Sequence, residues 1–143
     1  MAATRSISIA SVSRQDVLSC KDSKWMGQYI KAVCAAPEAE AQSHADNIDE
    51  FFRNNFRKLD YRQAVDIFEA LYQKDKHSHA AALDGSFWTW EALEIALRGN
   101  VNSLSDEEFM AVLKGFSNNY KGSKDLFDEL EKRICFEMAE LKM

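Results

Sequence analysis

His77 and His79 form the only histidine pair whose spacing suits a metal. Two histidines at i and i+2 can offer their imidazoles together from an extended segment. A third ligand would have to be His44, Asp75 or Asp84, and none stands at a recognised spacing. The pair therefore reads as solvated loop histidines, and neither a metal nor a cofactor is expected. Carboxylates cluster at Asp106-Glu107-Glu108 and at Glu129-x-Glu131. Paired acids can share acid–base work when their surroundings separate their pKa values. These fall at a helix start and along a charged outer face, where the helix dipole or solvent explains them. Cys20, Cys34 and Cys135 are odd in number and lack a CxxC, as free thiols in a reducing compartment do. There is no glycine-rich phosphate loop, nucleophile elbow or HExxH. No catalytic residue is assigned, and the chain reads as a non-enzyme.

The aromatic run Phe87-Trp88-Thr89-Trp90 points to binding instead. Trp90 shares helical spacing with Phe87, Leu93 and Leu97 and belongs to a core stripe. Phe87 is placed to cover the helix start. Trp88, two residues from Trp90, must point elsewhere, into a neighbouring loop or groove. Tryptophan is enriched where partners dock. Trp88, Phe87, His77 and His79 are therefore the candidate partner-binding residues.

The elements that position them are helices. One proline and five glycines in 143 residues leave few breaks. Alanine, leucine, glutamate and lysine are plentiful, so the fold class is all-α. Residues 13–143 read as a single helical domain of six to seven helices, and 1–12 as a disordered or processed segment. The first fifteen residues contain Arg5 and Arg14, many serines and no acid, like the mature side of a mitochondrial presequence. Ser13 with Asp16 can cap a short helix to about Cys20, and Asp22 opens another to Ala36. Pro37 ends that one and suits the start of the next. Residues 37–56 form one helix or two, since Ser43 with Asp46 is a second possible start.

Two stretches then align without a gap, from Leu59 to Leu71 and from Leu104 to Phe116. Each carries a leucine staple and a capping box, Asp60 with Gln63 and Ser105 with Glu108. Apolar residues match at Ala64/Phe109, Val65/Met110, Ile67/Val112, Phe68/Leu113 and Leu71/Phe116. Their helices are expected to end near Lys74 and Asn119. The second arms run from Ser86 to Arg98, with Gly99 as C-cap, and from Ser123 almost to Met143. Phe127, Leu130, Ile134, Met138 and Leu141 are the expected inner stripe of the last. The two hairpins, 60–98 and 105–142, are predicted to stack in a tetratricopeptide- or HEAT-like way. The first has a longer turn, within 73–85, in which Ala80 to Leu83 can form a small helix. That longer turn is the distinctive edge of the repeat.

Charge is uneven: eight basic and seven acidic side chains lie in residues 1–58, ten and sixteen in 59–143. The acidic half repels a phosphate backbone, so other proteins are favoured over nucleic acid as partners. Arg53, Arg57, Lys58 and the Lys132-Arg133 pair are the basic candidates for the RNA alternative. No apolar run is long enough to span a membrane.

The stretch from Leu104 to Phe116, with Lys124 to Ile134, resembles the helical-repeat units of organellar proteins, including tetratricopeptide-like scaffolds. The tryptophan, glycine and tyrosine of a tetratricopeptide first helix are absent, so no peptide-groove residue is carried over. As a whole, the chain resembles the MIX family of kinetoplastid mitochondrial membrane-anchored proteins, on residues 49–61 and 85–93. That resemblance implies an all-helical scaffold at the mitochondrial inner membrane. It also implies respiratory-chain (cytochrome oxidase) assemblies as partners, with the anchor in a segment absent from this chain.

Overall fold

The computed structural model describes residues 7–73, 76–77 and 80–141. It is all-helical apart from one hairpin of two-residue strands. The helices are α1 (Arg14–Leu18), α2 (Ser23–Ala35), α3 (Glu38–Asn55), α4 (Tyr61–Leu71), α5 (Trp88–Leu97), α6 (Asp106–Ser117) and α7 (Lys124–Leu141). No helix among the described residues is long and apolar enough to cross a membrane.

The local starts form as the sequence dictates. Ser13, Asp60 and Ser105 each accept the backbone N–H three residues on, and Asp16, Gln63 and Glu108 return the bond. Each box satisfies two donors that a helix start leaves unpaired. The open question over 37–56 resolves into one helix: Ala41, Ala45, Ile48 and Phe52 are buried in one unbroken stripe. Ile9, on a short 3-10 turn, is buried too, ahead of residue 13, where the sequence reading starts the helical body.

α2, α4 and α6 lie side by side with α4 in the middle, while α3 packs on α5. α4 packs on α5, as the first hairpin read in the sequence requires, and α2 packs on α3 ahead of it, but α6 and α7, the arms of the second hairpin, do not pack substantially on each other among the described residues. Position in the row explains where the repeat breaks. Val65 on α4 is fully buried, but its counterpart Met110 on α6 is 36% exposed. α4 has a helix on either side and α6 has one only on its α4 side.

The long turn differs from its expectation. α4 ends at Leu71, short of Lys74, and Tyr72–Gln73 (β1) pairs antiparallel with Lys76–His77 (β2). The expected small helix is a 3-10 turn, Ala81–Leu83. Two polar side chains fix it. The Asn119 amide, buried, accepts the Ala80 N–H and donates to the Gly115 carbonyl, both at 2.7 Å. The Trp90 indole N–H donates to the Leu83 carbonyl at 2.9 Å.

The inner stripe of α7 also departs from expectation. Leu126, Leu130 and Arg133 are buried, Phe127 and Ile134 only partly, and Met138 is 53% exposed. The side chain of Leu141 lies outside the described residues. Beyond Ile134 the helix outruns the body: only the 3-10 turn Val101–Ser103 packs substantially on α7. Glu94, buried on α5, starts α7 by accepting both the Ser123 N–H and its hydroxyl, at 2.7 and 2.6 Å.

Two stability predictions arise here. α6 ends in a Schellman motif, Tyr120 N–H to Ser117 and Lys121 N–H to Phe116, with Tyr120 at φ 56°. Tyrosine is disfavoured in that left-handed position, and this one is 91% exposed, so it gains no burial there. Tyr120→Gly is expected to stabilise the protein by about 0.5–1 kcal/mol, read as a rise in melting temperature. The second concerns acid. The Arg62 guanidinium, followed by the Ser105 N–H, holds the Glu108 carboxyl at about 2 instead of 4.5. A lowered folded-state pKa stabilises at pH above the ordinary value and is lost as pH falls from about 4.5 towards about 2. Arg62 is half exposed, so the pair is worth only about 1 kcal/mol or less. Urea midpoints should therefore fall through that window, and Arg62→Gln should flatten the fall.

Candidate partner-binding surface

The start of α5 has no cap of its own. Phe87 occupies the N-cap position, in αR conformation, and caps nothing. Asp49 on α3 supplies the cap from outside, accepting the Thr89 N–H at 2.9 Å and its hydroxyl at 3.1 Å. Thr89 is fully buried. The helix start is thereby fixed against α3, and the side chains on either side of Thr89 are held in place.

Three aromatic rings meet there. Trp88 lies 5.2 Å from the Phe56 ring centroid and 5.1 Å from that of Phe87, which it meets edge to face. Arg57 sits over the other ring of the group, 5.3 Å from the centroid of Phe56. Trp88 and Phe56 are partly buried, and Phe87 is 60% exposed. The alternation read in the sequence holds at Trp90, which is buried, and at Trp88, which is not. Trp88 points to Phe56 and not into the long turn. Phe87 was expected to cover the helix start; it stands out from it instead, because Asp49 and Thr89 close that start. Phe56 continues the helical spacing of Ile48, Phe51 and Phe52. It lies one residue past the end of α3, where that face ends, and the sequence carries no mark of its neighbour.

His77 pairs through its backbone with Tyr72, and its side chain and His79 lie outside the described residues. His44, considered as a third ligand, is bonded through Nδ1 to the Tyr29 hydroxyl.

The other reactive side chains serve the architecture. Glu108 closes a capping box, Asp106 holds Arg133, and Glu129 accepts the Gly99 N–H at 2.7 Å. Burial pushes the Cys34 thiol up to about 11, so at neutral pH it is protonated and a poor nucleophile. Arg133, read with Lys132 as an RNA candidate, is 8% exposed and internally bonded, which removes it from that role. No family model, curated protein or solved structure matches this chain.

Proposed function

We propose that this chain is a non-enzymatic scaffold that binds other proteins through the corner formed by Phe56, Phe87 and Trp88. One observation carries the reading: a large aromatic ring, Phe87, stands 60% exposed on a helix start that buried bonds hold still. A pre-ordered aromatic loses little entropy on docking, and rings of this kind dominate binding energy at interfaces. The packing of α3 on α5 supports it from beneath. The resemblance to the mitochondrial membrane-anchored family supports placing this scaffold at the inner membrane, beside respiratory-chain assemblies.

Co-purification from the source organelle tests the reading. Phe87→Ala is expected to lose bound partners while its stability shifts by no more than about 0.5 kcal/mol, since the side chain is mostly solvated. An unchanged partner set for both Phe87→Ala and Trp88→Ala would defeat it. The RNA-associated reading retains one supporting observation, the guanidinium beside an aromatic group, which is a stacking platform for bases. Tight RNA binding that weakens steeply with salt would favour it over the scaffold.

A further inference from the structure

The arginines of this chain are not distributed evenly between paired and unpaired. Arg14 pairs with Glu50, Arg62 with Glu108, Arg98 with Glu94 and Asp125, and Arg133 with Asp106 and Glu137. Among the described arginines, only Arg53 and Arg57 make no ion pair. Arg53 lies in the last turn of α3 and Arg57 two residues past its end, and both are exposed. Four residues apart, they are neighbours along one side of the chain, where like charges repel.

The acids that would normally relieve them are occupied. On a helix, Arg53 could reach Asp49 or Glu50, at i−4 and i−3. Asp49 is turned to Thr89 and Glu50 to Arg14. The negative end of the α3 dipole favours cations here, but it does not relieve the repulsion of a pair. Lys58 does not add to the patch; it lines a cleft with Asp22 and Gln63. The result is a small positive site on a chain of net charge −5, and Arg57 rests on the aromatic corner itself.

We propose that this corner binds an acidic peptide segment carrying an aromatic or aliphatic anchor. The anchor packs on Phe87 and Trp88, and carboxylates beside it pair with Arg57 and Arg53. The inference rests on the reading of the corner as a docking face, and adds the chemistry of the partner. Charge complementarity selects that partner: on a chain of net charge −5, two guanidinium groups that no acid of the chain pairs stand at this end of α3, one of them against the aromatic corner. A nucleic acid needs a longer basic track than two arginines on an acidic body provide.

Selection of a random peptide display library on the full chain tests this. Winning peptides should be acidic and carry a large apolar residue. Synthesised and titrated, the best should weaken roughly tenfold or more with Arg53→Glu/Arg57→Glu, and weaken with added salt. Arg53→Gln/Arg57→Gln should give a smaller loss in the same direction, and melting curves of both exposed-site variants should match the parent. Winners that are neutral or basic, or indifferent to the arginines, overturn the acidic partner. If Phe87→Ala still abolishes those winners, the docking face stands. No enrichment over a Phe87→Ala control overturns both. Single-stranded oligouridylate binding more tightly than any selected peptide also overturns both.

Discussion

Gly115→Ala is expected to destabilise the protein by about 1–3 kcal/mol, although alanine is the better helix former by about 1 kcal/mol. A Cβ at this position would fall within the van der Waals shell of Cδ1 and Cε1 of Phe68. The ring has nowhere to go. Phe68 is fully buried on the central helix and packs on Phe116 with ring centroids 4.9 Å apart. Phe116 in turn meets Trp90 at 6.0 Å, so a displaced ring would push into α5 as well. The added methyl therefore has to separate α6 from α4. Truncating the ring alone, Phe68→Ala, should cost about 3–5 kcal/mol through the cavity it leaves. The two changes should not add. In a Phe68→Leu background, Gly115→Ala should cost about 1 kcal/mol less than in the parent, because the shorter side chain leaves space for it. Urea unfolding with an unchanged slope is the measurement. A Gly115→Ala protein as stable as the parent would mean that α4 and α6 do not meet at this glycine. Gly27 makes the matching crossing on the other side of α4, but against backbone. A Cβ there would lie 2.7 Å from that of Ala70 and 3.2 Å from the backbone at Asp66 and Ile67. The two glycines set how closely the row of helices can pack.

Neither crossing could be read from the sequence, and the reason separates what was legible from what was not. Capping boxes are legible because both partners lie within three residues, as Ser13 with Asp16 and Ser105 with Glu108 do. The cap of α5 comes from Asp49, forty residues away, and has no local signature, whereas α7 is capped by Ser123, which accepts the Leu126 N–H while Glu94 holds Ser123 from α5. The phase of a helix is legible, but not how much of it is covered. Phe127, Leu130, Ile134 and Met138 share a spacing, yet the face they define runs past the body before Met138. The matched pair Val65 and Met110 shows the same limit, since only the row of helices decides which has a neighbour. At the candidate surface, parity alone separated Trp88 from Trp90. Phe56 and the two unpaired arginines depend on which acids other helices draw away, and that is a property of the assembled fold.

Arg133 is the clearest case of a residue whose role reverses on folding, and Arg133→Met is expected to destabilise by about 2–4 kcal/mol. Its Nη1 donates to the Val101 carbonyl at 2.7 Å, Nη2 to Asp106 at 3.2 Å and Nε to Glu137 at 3.1 Å. The guanidinium also lies 4.5 Å from the centroid of Phe109. The carboxylates are not what matters most. Asp106 is 91% and Glu137 45% exposed, so water solvates both once the arginine is gone. The Val101 carbonyl is different: its residue is 3% exposed, and without the guanidinium it keeps only the longer bond from the Leu104 N–H, at 3.3 Å, a loss of about 1–2 kcal/mol. Loss of the cation–ring contact adds up to about 2 kcal/mol. Methionine replaces part of the apolar stem but none of these bonds. Arg133→Lys is the sharper test. It keeps the charge, but a single ammonium cannot reach a carbonyl and two carboxylates while lying flat on a ring. It should therefore lose most of what methionine loses, and the loss should persist in high salt, where an exposed ion pair would be screened. Denaturant melts of the two variants at low and high salt decide it. A lysine variant within about 0.5 kcal/mol of the parent would show that charge alone sufficed. α7 would then be held to the 3-10 turn at Val101 by something other than this guanidinium.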